Sequence, residues 1–255
     1  MTTTKYTCLN FLPKNLFIQF TKMANAYFLF CVLIQFVPGI GPPNGAFFSA
    51  LPLVFVVGIS MVKDAFEDAK RSKQDKIENE MFVEAAMRGS KTLQTMRSLQ
   101  LQVGCIVKVT EDQAFPADLI LLKSSLPKGI CYVETKNLDG ETNLKQKQAQ
   151  ETIDGHMQSK SEEEALQWLM SAKIDCETPN EYLYRFDGNF VFNDGTLIPL
   201  SPDQILLKGS NLRNTEYVLG LCVFTGHDTK IMNNSAAAEA KFSKNAKFIN
   251  KLVLL

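Results

Sequence analysis

The hydrophobic residues of this chain are concentrated in a charge-free stretch near its beginning. No Asp, Glu, Lys or Arg occurs from Ala24 to Val62, although charged residues make up 21% of the chain. At that composition, a window of this length would lack charge by chance roughly once in ten thousand times. The segment 38–45, with three prolines and three glycines, divides the stretch and cannot continue a helix. It predicts a tight turn outside the membrane.

The two apolar halves on either side of this turn predict a transmembrane helical hairpin over 24–62. As helices, 24–37 and 46–62 can each reach roughly 25 Å when a few flanking residues are included, close to a hydrocarbon core of about 30 Å. A buried helical hairpin of a soluble protein is the alternative. A signal peptide fits less well, because no small-residue cleavage site precedes the second half.

Basic residues flank the predicted hairpin on both sides, whereas its turn carries no charge. Three lysines precede the first span and five basic residues follow the second: Lys5, Lys14 and Lys22, then Lys63, Lys70, Arg71, Lys73 and Lys76. Because basic residues are enriched on the cytosolic side of a membrane, both flanks are expected in the cytosol. The chain is therefore expected to be a multi-pass integral membrane protein whose larger domain is cytosolic, and nothing in it indicates which membrane.

The segments that flank the hairpin have helical patterns of their own. Before the first span, Pro13 can open a helix whose apolar residues recur on one face, which predicts an interfacial helix running straight into the bilayer. After the second span, 63–81 is charged and helix-favouring, with Lys63/Glu67 and Glu67/Arg71 spaced four apart. This second segment predicts a stalk, although its charges could equally form a solvated face.

From Phe82 onward the pattern changes to short β-like runs separated by turn signals. The runs are Val103–Val109, Asp118–Leu122, Ile130–Thr135, Tyr182–Phe192, Gln204–Leu207 and Glu216–Phe224. Their spacing favours an antiparallel β-sandwich over alternating βαβ units. One helical insertion is predicted after Ser161, where a capping-box pattern with Glu164 leads into apolar residues. The predicted fold class is membrane α plus β: a transmembrane hairpin joined by a helical stalk to a cytosolic antiparallel β-sandwich.

Charge, cysteine and histidine content argue against several other classes. Lys+Arg and Asp+Glu are balanced at 27 each, so the net charge gives no indication of nucleic acid binding. The six cysteines are scattered without a Cys-x-x-Cys pair and are interpreted as free thiols. The two histidines, His156 and His227, lack the spacing of a zinc site, so no metal site is predicted.

The segment Cys131–Ala149 carries the most specific candidate chemistry. Asp139–Thr142 lies between two strand-like runs, and its Asp-Gly dipeptide is a strong reversal signal. Such a turn would hold Glu141 at a loop tip, which is a suitable position for a catalytic carboxylate. A hairpin turn with a solvated Glu141 is the alternative interpretation.

The whole of Cys131–Ala149 resembles the actuator-domain signature of the phospholipid-translocating P-type ATPases, the lipid flippases of the P4 subfamily. Other segments resemble family segments in the same order: Phe11–Phe17, Ala24–Phe28, Pro116–Asp118, Cys176–Asn180 and Thr225–Lys230. The resemblance implies an amino-terminal portion of such a protein in four parts. These are a cytosolic segment with the interfacial helix (1–23), the hairpin (24–62), the stalk with a jelly-roll-like actuator domain (63–248) and the start of a third membrane helix (249–255).

The resemblance also implies an ATP-driven enzyme that moves phospholipid toward the cytosolic leaflet. In such an enzyme Glu141 would hydrolyse an aspartyl-phosphate, with Asp139, Gly140 and Thr142 shaping its loop. The chain contains neither an Asp-Lys-Thr-Gly phosphorylation motif nor a P-loop. ATP and Mg²⁺ are therefore expected to bind to phosphorylation and nucleotide-binding domains outside this chain, which alone should be inactive. The implied partners are the phospholipid substrate, the bilayer and a two-span glycosylated accessory subunit.

Gln35 and Phe36 are the candidate lipid-path residues in the first span. An amide is costly to expose to lipid tails, so Gln35 is expected to face other helices or a hydrated groove. By resemblance, a polar pair at this point helps to select the lipid headgroup, although Phe36 stands where many relatives have a second Gln. A helix–helix hydrogen bond is the alternative for Gln35. For Pro116 and Asp118, a structural role is favoured over a functional one.

Two other classes stay open from the sequence. A P-type cation pump would usually carry Thr-Gly-Glu-Ser in place of Asp139–Thr142, and carboxylates would be expected within its membrane spans. A non-enzymatic, membrane-anchored β-domain protein would have the same sequence pattern as this chain.

Overall fold

In the computed structural model of the chain, the described residues are 1–7, 9–37, 45–87, 89–90, 92–171, 173–192 and 195–236. They fall into two compact units, one comprising Thr2–Lys76 and the other beginning at Ile77. The predicted start of a third membrane helix, 249–255, lies outside the described residues, as do residues 38–44 of the predicted turn.

Two short helices open the first unit and meet at a sharp bend. α1 (Phe11–Thr21) and α2 (Met23–Ile34) are separated by Lys22, whose backbone is extended at φ −73° and ψ 120°, and the two helices are bent by 96°. The Asn25 side chain donates to the Gln19 carbonyl across this break at 2.9 Å. A helix is therefore present before the first predicted span, but it does not continue straight into that span as expected, because Lys22 interrupts it.

α3 (Gly45–Glu80) is the one helix among the described residues that is long and apolar enough by itself to cross a membrane. α1 and α2 meet the same criteria only if their bent pair counts as one span. α2 alone has 12 residues, or about 18 Å at 1.5 Å per residue, and falls short of a hydrocarbon core of about 30 Å. The helix in the first predicted span, 24–37, is thus shorter than expected, whereas the helix in the second continues well beyond Val62.

The charged segment after the second apolar half is helical, as predicted, because α3 continues through it without a break. Lys63 Nζ lies 3.4 Å from one carboxylate oxygen of Glu67, and Arg71 Nη2 lies 3.8 Å from the other. Both predicted pairs at four-residue spacing are therefore present. The apolar part of α3 shares a small buried cluster with α2, formed by Val32, Leu53 and Val57.

One face of α3 binds the beginning of the chain through aspartates. Asp64 accepts hydrogen bonds from the side-chain amides of Asn15 at 2.8 Å and Gln19 at 3.2 Å. Asp75 accepts hydrogen bonds from the backbone amide and the hydroxyl of Thr3, both at 2.6 Å. Asn15 and Gln19 are almost fully buried. Part of the charged segment therefore binds the first residues of the chain and is not a plain solvated face.

The described part of the second unit contains three sheets with antiparallel pairing throughout. The strands are β1 (Phe82–Ala86), β2 (Gln94–Arg97), β3 (Ile106–Thr110), β4 (Asp118–Ser124), β5 (Ile130–Glu134), β6 (Leu144–Gln148), β7 (Lys173–Cys176), β8 (Gly188–Val191), β9 (Leu197–Leu200), β10 (Ile205–Leu206), β11 (Asn211–Arg213) and β12 (Tyr217–Phe224). The largest sheet has the order β10-β4-β12-β3-β1-β2, and the other two have the orders β11-β5-β6 and β7-β8-β9. The predicted antiparallel β-structure is confirmed.

The strand β4 of the largest sheet is buried on both faces. Alternate residues of β4 enter two separate cores, with Leu119 and Leu121 in one and Ile120 and Leu122 in the other. The first core also contains Val133 of β5, so the sheet β11-β5-β6 covers one face of the largest sheet. The uninterrupted apolar run of β4 follows from this double burial.

The second core is covered by two helices together with the sheet β7-β8-β9. These are α5 (Glu151–Gln158) and α6 (Glu162–Ser171), and both bury apolar side chains in this core. The predicted capping box at the start of α6 is present, with Glu164 N 3.4 Å from Ser161 Oγ and Ser161 N 3.3 Å from a Glu164 carboxylate oxygen. The prediction of one helical insertion missed α5, whose preceding residue, Gln150, makes no side-chain cap.

Most predicted strand runs overlap strands of the structure, but Tyr182–Phe192 does so only in part. Its strand is confined to Gly188–Val191. The residues before this strand form an irregular segment that brings Tyr184 to the candidate site described below. β6 is the second strand-like run that was predicted after the Asp139–Thr142 turn. β1, β2, β7, β9 and β11 lie outside the predicted runs.

The charge-free stretch, with its basic flanks, generates a topology prediction. In sealed vesicles, a cysteine placed at position 44 should react only from the side opposite the cytosol, because the turn carries no charge. A cysteine in place of Glu111, an exposed residue of the second unit, should react only from the cytosolic side. The measurement is labelling by a membrane-impermeant thiol reagent added to each side, in a chain whose native cysteines are replaced. Labelling of both positions from one side would contradict the hairpin.

Candidate functional site

The candidate site lies in the connection between β5 and β6, which pair antiparallel with Glu134 opposite Leu144. We call residues 135–143 the Glu141 loop. It begins with one helical turn, α4 (Lys136–Asp139), and then passes through Gly140 at φ 77°. Glycine adopts this left-handed conformation at little cost, and a Cβ at position 140 would meet no atom within 4 Å. The connection is thus longer than the predicted tight turn, and Gly140 is required there by its backbone conformation.

Asp139 organises the loop through hydrogen bonds to its neighbours. The Thr135 hydroxyl lies 3.0 Å from both carboxylate oxygens of Asp139. The backbone amide of Glu141 donates to Asp139 Oδ1 at 2.9 Å. The side chain of Asp139 therefore fixes the start of α4 and the backbone of Glu141 at the same time.

Two further side chains reach this carboxylate, and the sequence did not single them out. Lys145 Nζ lies 2.6 Å from Asp139 Oδ2 and 2.9 Å from Glu141 Oε2. Lys145 Nζ also donates to the Tyr184 hydroxyl at 3.2 Å and lies 4.4 Å from the centre of its ring. The Tyr184 hydroxyl in turn donates to Asp139 Oδ2. Lys145 is thus shared by the two carboxylates of the loop.

These contacts set the charge states of the cluster. Partial desolvation raises the pKa of Asp139, but hydrogen bonds from Lys145, Tyr184, the Glu141 amide and Thr135 outweigh it and hold the pKa well below its usual value. Desolvation lowers the pKa of Lys145, but its bonds to Asp139, Glu141 and Tyr184 outweigh this effect and raise the pKa. Asp139 and Lys145 are therefore an ion pair at neutral pH.

The predicted catalytic carboxylate is directed toward solvent. The Glu141 side chain is 60% exposed, compared with 16% for Asp139 and 26% for Lys145. Thr142 is also exposed. The structure therefore places Glu141 at a loop tip, on a backbone held by Asp139, where its carboxylate can reach a group outside this unit.

A second polar cluster brings together three of the segments on which the family resemblance rests. Lys230 opens α7 (Lys230–Ala236), and its side chain is fully buried. Its ammonium lies 2.7 Å from Glu177 Oε1 and 2.7 Å from Asn180 Oδ1. Its backbone amide donates to Asp118 Oδ2 at 2.7 Å. Residues far apart in the chain are thus joined around one buried cation.

Asp118 has a structural role in this cluster. Its carboxylate accepts hydrogen bonds from the backbone amides of Lys208 at 2.8 Å and Lys230 at 2.7 Å. Burial raises the pKa of Asp118 to about 6, although these two amides and the nearby lysine charges act in the opposite direction. The structural role that the sequence favoured for Pro116 and Asp118 agrees with this position in the interior.

The candidate lipid-path residues lie at the end of α2, in the first unit. The Ser49 hydroxyl of α3 donates to Gln35 Oε1 at 2.9 Å. Phe36 is 69% exposed. The helix–helix hydrogen bond considered as the alternative for Gln35 is therefore present, and a role in lipid selection stays a prediction.

Comparison with known proteins agrees with the resemblance seen in the residues. A family profile described as phospholipid-translocating ATPase N-terminal matches residues 1–47. The chain is 45% identical to the probable phospholipid-transporting ATPase 7 of Arabidopsis thaliana over 99% of its length, and 46% identical to phospholipid-transporting ATPase 6 of the same plant. Over the full length of this chain, it is 40% identical to the phospholipid-transporting ATPase DRS2 of Saccharomyces cerevisiae.

These matches cover nearly all of this chain but only its relatives' first part. The chain spans about a fifth of the length of the curated relatives, 20% of each Arabidopsis protein and 18% of the yeast protein. The predicted resemblance to the amino-terminal portion of the phospholipid-translocating ATPases is confirmed.

The buried cation generates a prediction about stability. Lys230→Met removes the ammonium and leaves the Glu177 carboxylate unpaired, so the free energy of unfolding should fall by about 3 kcal/mol, within the range for breaking a buried ion pair. Adding Glu177→Gln should restore part of this loss. The measurement is thermal or denaturant unfolding of the detergent-solubilised chain.

The matched control is Lys173→Met. Lys173 forms an ion pair with Asp175 at 2.8 Å, and both side chains of this pair are exposed. It should change the free energy of unfolding by less than about 1 kcal/mol. Equal losses for Lys173→Met and Lys230→Met would contradict the structural role of Lys230.

Proposed function

We propose that this chain, which is related along its length to the amino-terminal part of the phospholipid-transporting ATPases, supplies the actuator portion of a lipid flippase. In this proposal the full-length protein moves phospholipid toward the cytosolic leaflet with energy from ATP. Glu141 serves as the carboxylate that hydrolyses the aspartyl-phosphate. The observation that carries the proposal is an exposed Glu141 on a loop whose backbone is fixed by Asp139.

The loop suits the chemistry of acyl-phosphate hydrolysis. Attack on the phosphorus needs a water in line with the leaving carboxylate, and a positioned carboxylate can orient that water and accept its proton. Such general-base catalysis contributes about 10²- to 10⁴-fold. The fixed backbone holds the loop in a defined position. Because the Glu141 side chain is exposed, its carboxylate can reach the aspartyl-phosphate of a separate domain.

Other parts of the reaction are assigned outside this chain. P-type ATPases generally use ATP and Mg²⁺, and this sequence has neither a P-loop nor an Asp-Lys-Thr-Gly motif. We therefore assign nucleotide, Mg²⁺ and the phosphorylated aspartate to further domains of the full-length protein. A two-span accessory subunit is part of the proposal as well, since the resemblance implies one.

The membrane arrangement in this proposal is a hairpin with cytosolic flanks. α3 is apolar over its first half and charged after it, and the five basic residues of the charged half support a cytosolic position for the β-domain. A jelly-roll-like arrangement of the β-domain is proposed by resemblance, and antiparallel pairing supports it. The matches to phospholipid-transporting ATPases favour a flippase over a P-type cation pump or a non-enzymatic β-domain protein.

The catalytic assignment is tested by Glu141→Gln in the full-length protein. Glutamine keeps the size of the side chain but cannot accept the proton, so phosphoenzyme should form normally and then persist. The measurement is decay of the phosphoenzyme after labelling with ATP and a chase without it, with a decay rate lowered by about 10²-fold or more. Glu216→Gln, at an exposed position away from the loop, is the control. Decay of the Glu141 variant at the wild-type rate would refute its role.

The lipid-path assignment is tested by transport of several phospholipids. If a headgroup passes beside Gln35, Gln35→Ala removes one amide contact of about 0.5 to 1.5 kcal/mol, so relative rates for two headgroups should change by roughly two- to tenfold. Phe36→Gln should shift the preference too, since it adds hydrogen-bonding groups. Ser49→Ala is the matched control, because it removes the helix–helix hydrogen bond and keeps the Gln35 amide. A uniform fall for all headgroups in both Gln35→Ala and Ser49→Ala would show that Gln35 only joins the helices.

A further inference from the structure

We propose that Tyr184 is a positioning residue for the Glu141 loop, and that the segment 177–187, anchored on the buried Lys230, holds it in place. We call residues 177–187 the arm. The inference rests on the proposed function, because it assigns to Tyr184 a part in orienting the proposed catalytic carboxylate. All the contacts involved lie within the unit that begins at Ile77.

The base of the arm is fixed by hydrogen bonds to regular elements. The arm follows β7 and precedes β8, and the amide of Glu177 donates to the Asp187 carbonyl at 3.0 Å, which closes its two ends. Glu177 and Asn180 both bind the Lys230 ammonium at 2.7 Å. Because that ammonium is fully buried, losing either partner would be costly, and this end of the arm has little freedom.

The middle of the arm is held by a turn and by α7. Asn180 Oδ1 binds the Lys230 ammonium and also accepts a hydrogen bond from the backbone amide of Tyr182 at 3.1 Å. The carbonyl of Glu181 accepts a hydrogen bond from the side chain of Asn234 in α7 at 3.1 Å. The backbone just before Tyr184 is therefore tied to the same helix that carries Lys230.

The tip of the arm reaches the Glu141 loop. The Tyr184 hydroxyl donates to Asp139 Oδ2 and accepts from Lys145 at 3.2 Å, and its ring lies beside the Lys145 ammonium. Asp139 holds the Glu141 amide through its other oxygen. A continuous set of contacts thus runs from Lys230 through the arm to the backbone of Glu141.

This contact gives the loop support from outside its own hairpin. Thr135 and Lys145, the other side chains bound to Asp139, belong to the loop and to β6, so they move with the hairpin. Asn137 attaches the start of the loop to the Gly209 carbonyl at 3.3 Å. Tyr184 instead binds Asp139, the last residue of α4 and two residues before Glu141, from a position 45 residues later in the chain.

Removing the hydroxyl should therefore loosen the loop without removing any catalytic group. In Tyr184→Phe, Asp139 loses a donor and its depressed pKa moves toward the usual value. A carboxylate with a depressed pKa stabilises the fold above its unfolded pKa, and this contribution is lost as the pH falls through the folded pKa. The order of the loop should consequently be lost at a higher pH in the variant than in the wild type.

The first experiment needs no enzymatic activity. Backbone hydrogen exchange of the loop, corrected for its intrinsic pH dependence, is measured on the detergent-solubilised chain between about pH 2.5 and pH 7, a range that includes the usual aspartate pKa of about 3.9. Tyr184→Phe should speed exchange of the Glu141 amide by about threefold or more, with a larger effect at low pH. Tyr182→Phe, an exposed ring on the same arm, should leave exchange unchanged. Unchanged loop exchange in Tyr184→Phe, or an equal effect of Tyr182→Phe, would overturn the proposal.

The second experiment connects the arm to turnover in the full-length protein. Tyr184→Phe should slow phosphoenzyme decay by about three- to tenfold and move the acid limb of its pH profile upward, with ATP-dependent phosphorylation unaffected. If Glu141→Gln leaves decay unchanged, the proposed function fails, while loop exchange still decides whether Tyr184 positions the loop. If Glu141→Gln blocks decay and Tyr184→Phe leaves both the rate and the pH profile unaltered, the positioning role is refuted.

Discussion

The buried ammonium of Lys230 is the interaction on which the arrangement of the second unit depends. A fully buried cation is strongly destabilising unless charged or polar partners surround it. Glu177 and Asn180 provide those partners at 2.7 Å, from positions 53 and 50 residues earlier in the chain. The amide of the same residue binds Asp118, which lies 112 residues earlier. Since the ion cannot be left unpaired, the arm, the start of β4 and the start of α7 must assemble together.

That constraint extends to the candidate site through rigid elements. The Glu141 loop connects two strands of the sheet β11-β5-β6, and Val133 of β5 packs in the same core as Leu119 of β4. β4 begins at Asp118, so the sheet behind the loop and the polar cluster share one strand. The arm reaches the loop from the other direction through Tyr184. A surface loop therefore acquires a defined backbone because it is supported from two sides.

The sequence predicted features that depend on local signals and missed those that depend on distant partners. The capping box at Ser161 and the strand run Asp118–Leu122 are encoded in neighbouring residues, and both are present. β11 was not predicted, because it has only three residues and is a strand through its pairing with β5, about 80 residues earlier in the chain. Lys145 lies four residues after Glu141, a spacing that could have suggested the ion pair. The role of Tyr184 could not be predicted from neighbouring residues, because its partner Asp139 is 45 residues away. Tyr184 itself lies in the run Tyr182–Phe192, which was predicted as a strand.

The ion pair between Glu141 and Lys145 explains how one loop can be ordered and still reactive. An ion pair with one exposed partner contributes little to stability, on the order of 0 to 1 kcal/mol, because water and salt screen the attraction between its charges. Glu141 is 60% exposed, so its carboxylate can leave Lys145 at small cost when a phosphorylated group approaches. Asp139 is more enclosed and keeps Lys145 with a 2.6 Å contact. The backbone of the loop is thus held by Asp139, while the side chain proposed for catalysis stays available, and a single lysine serves both requirements.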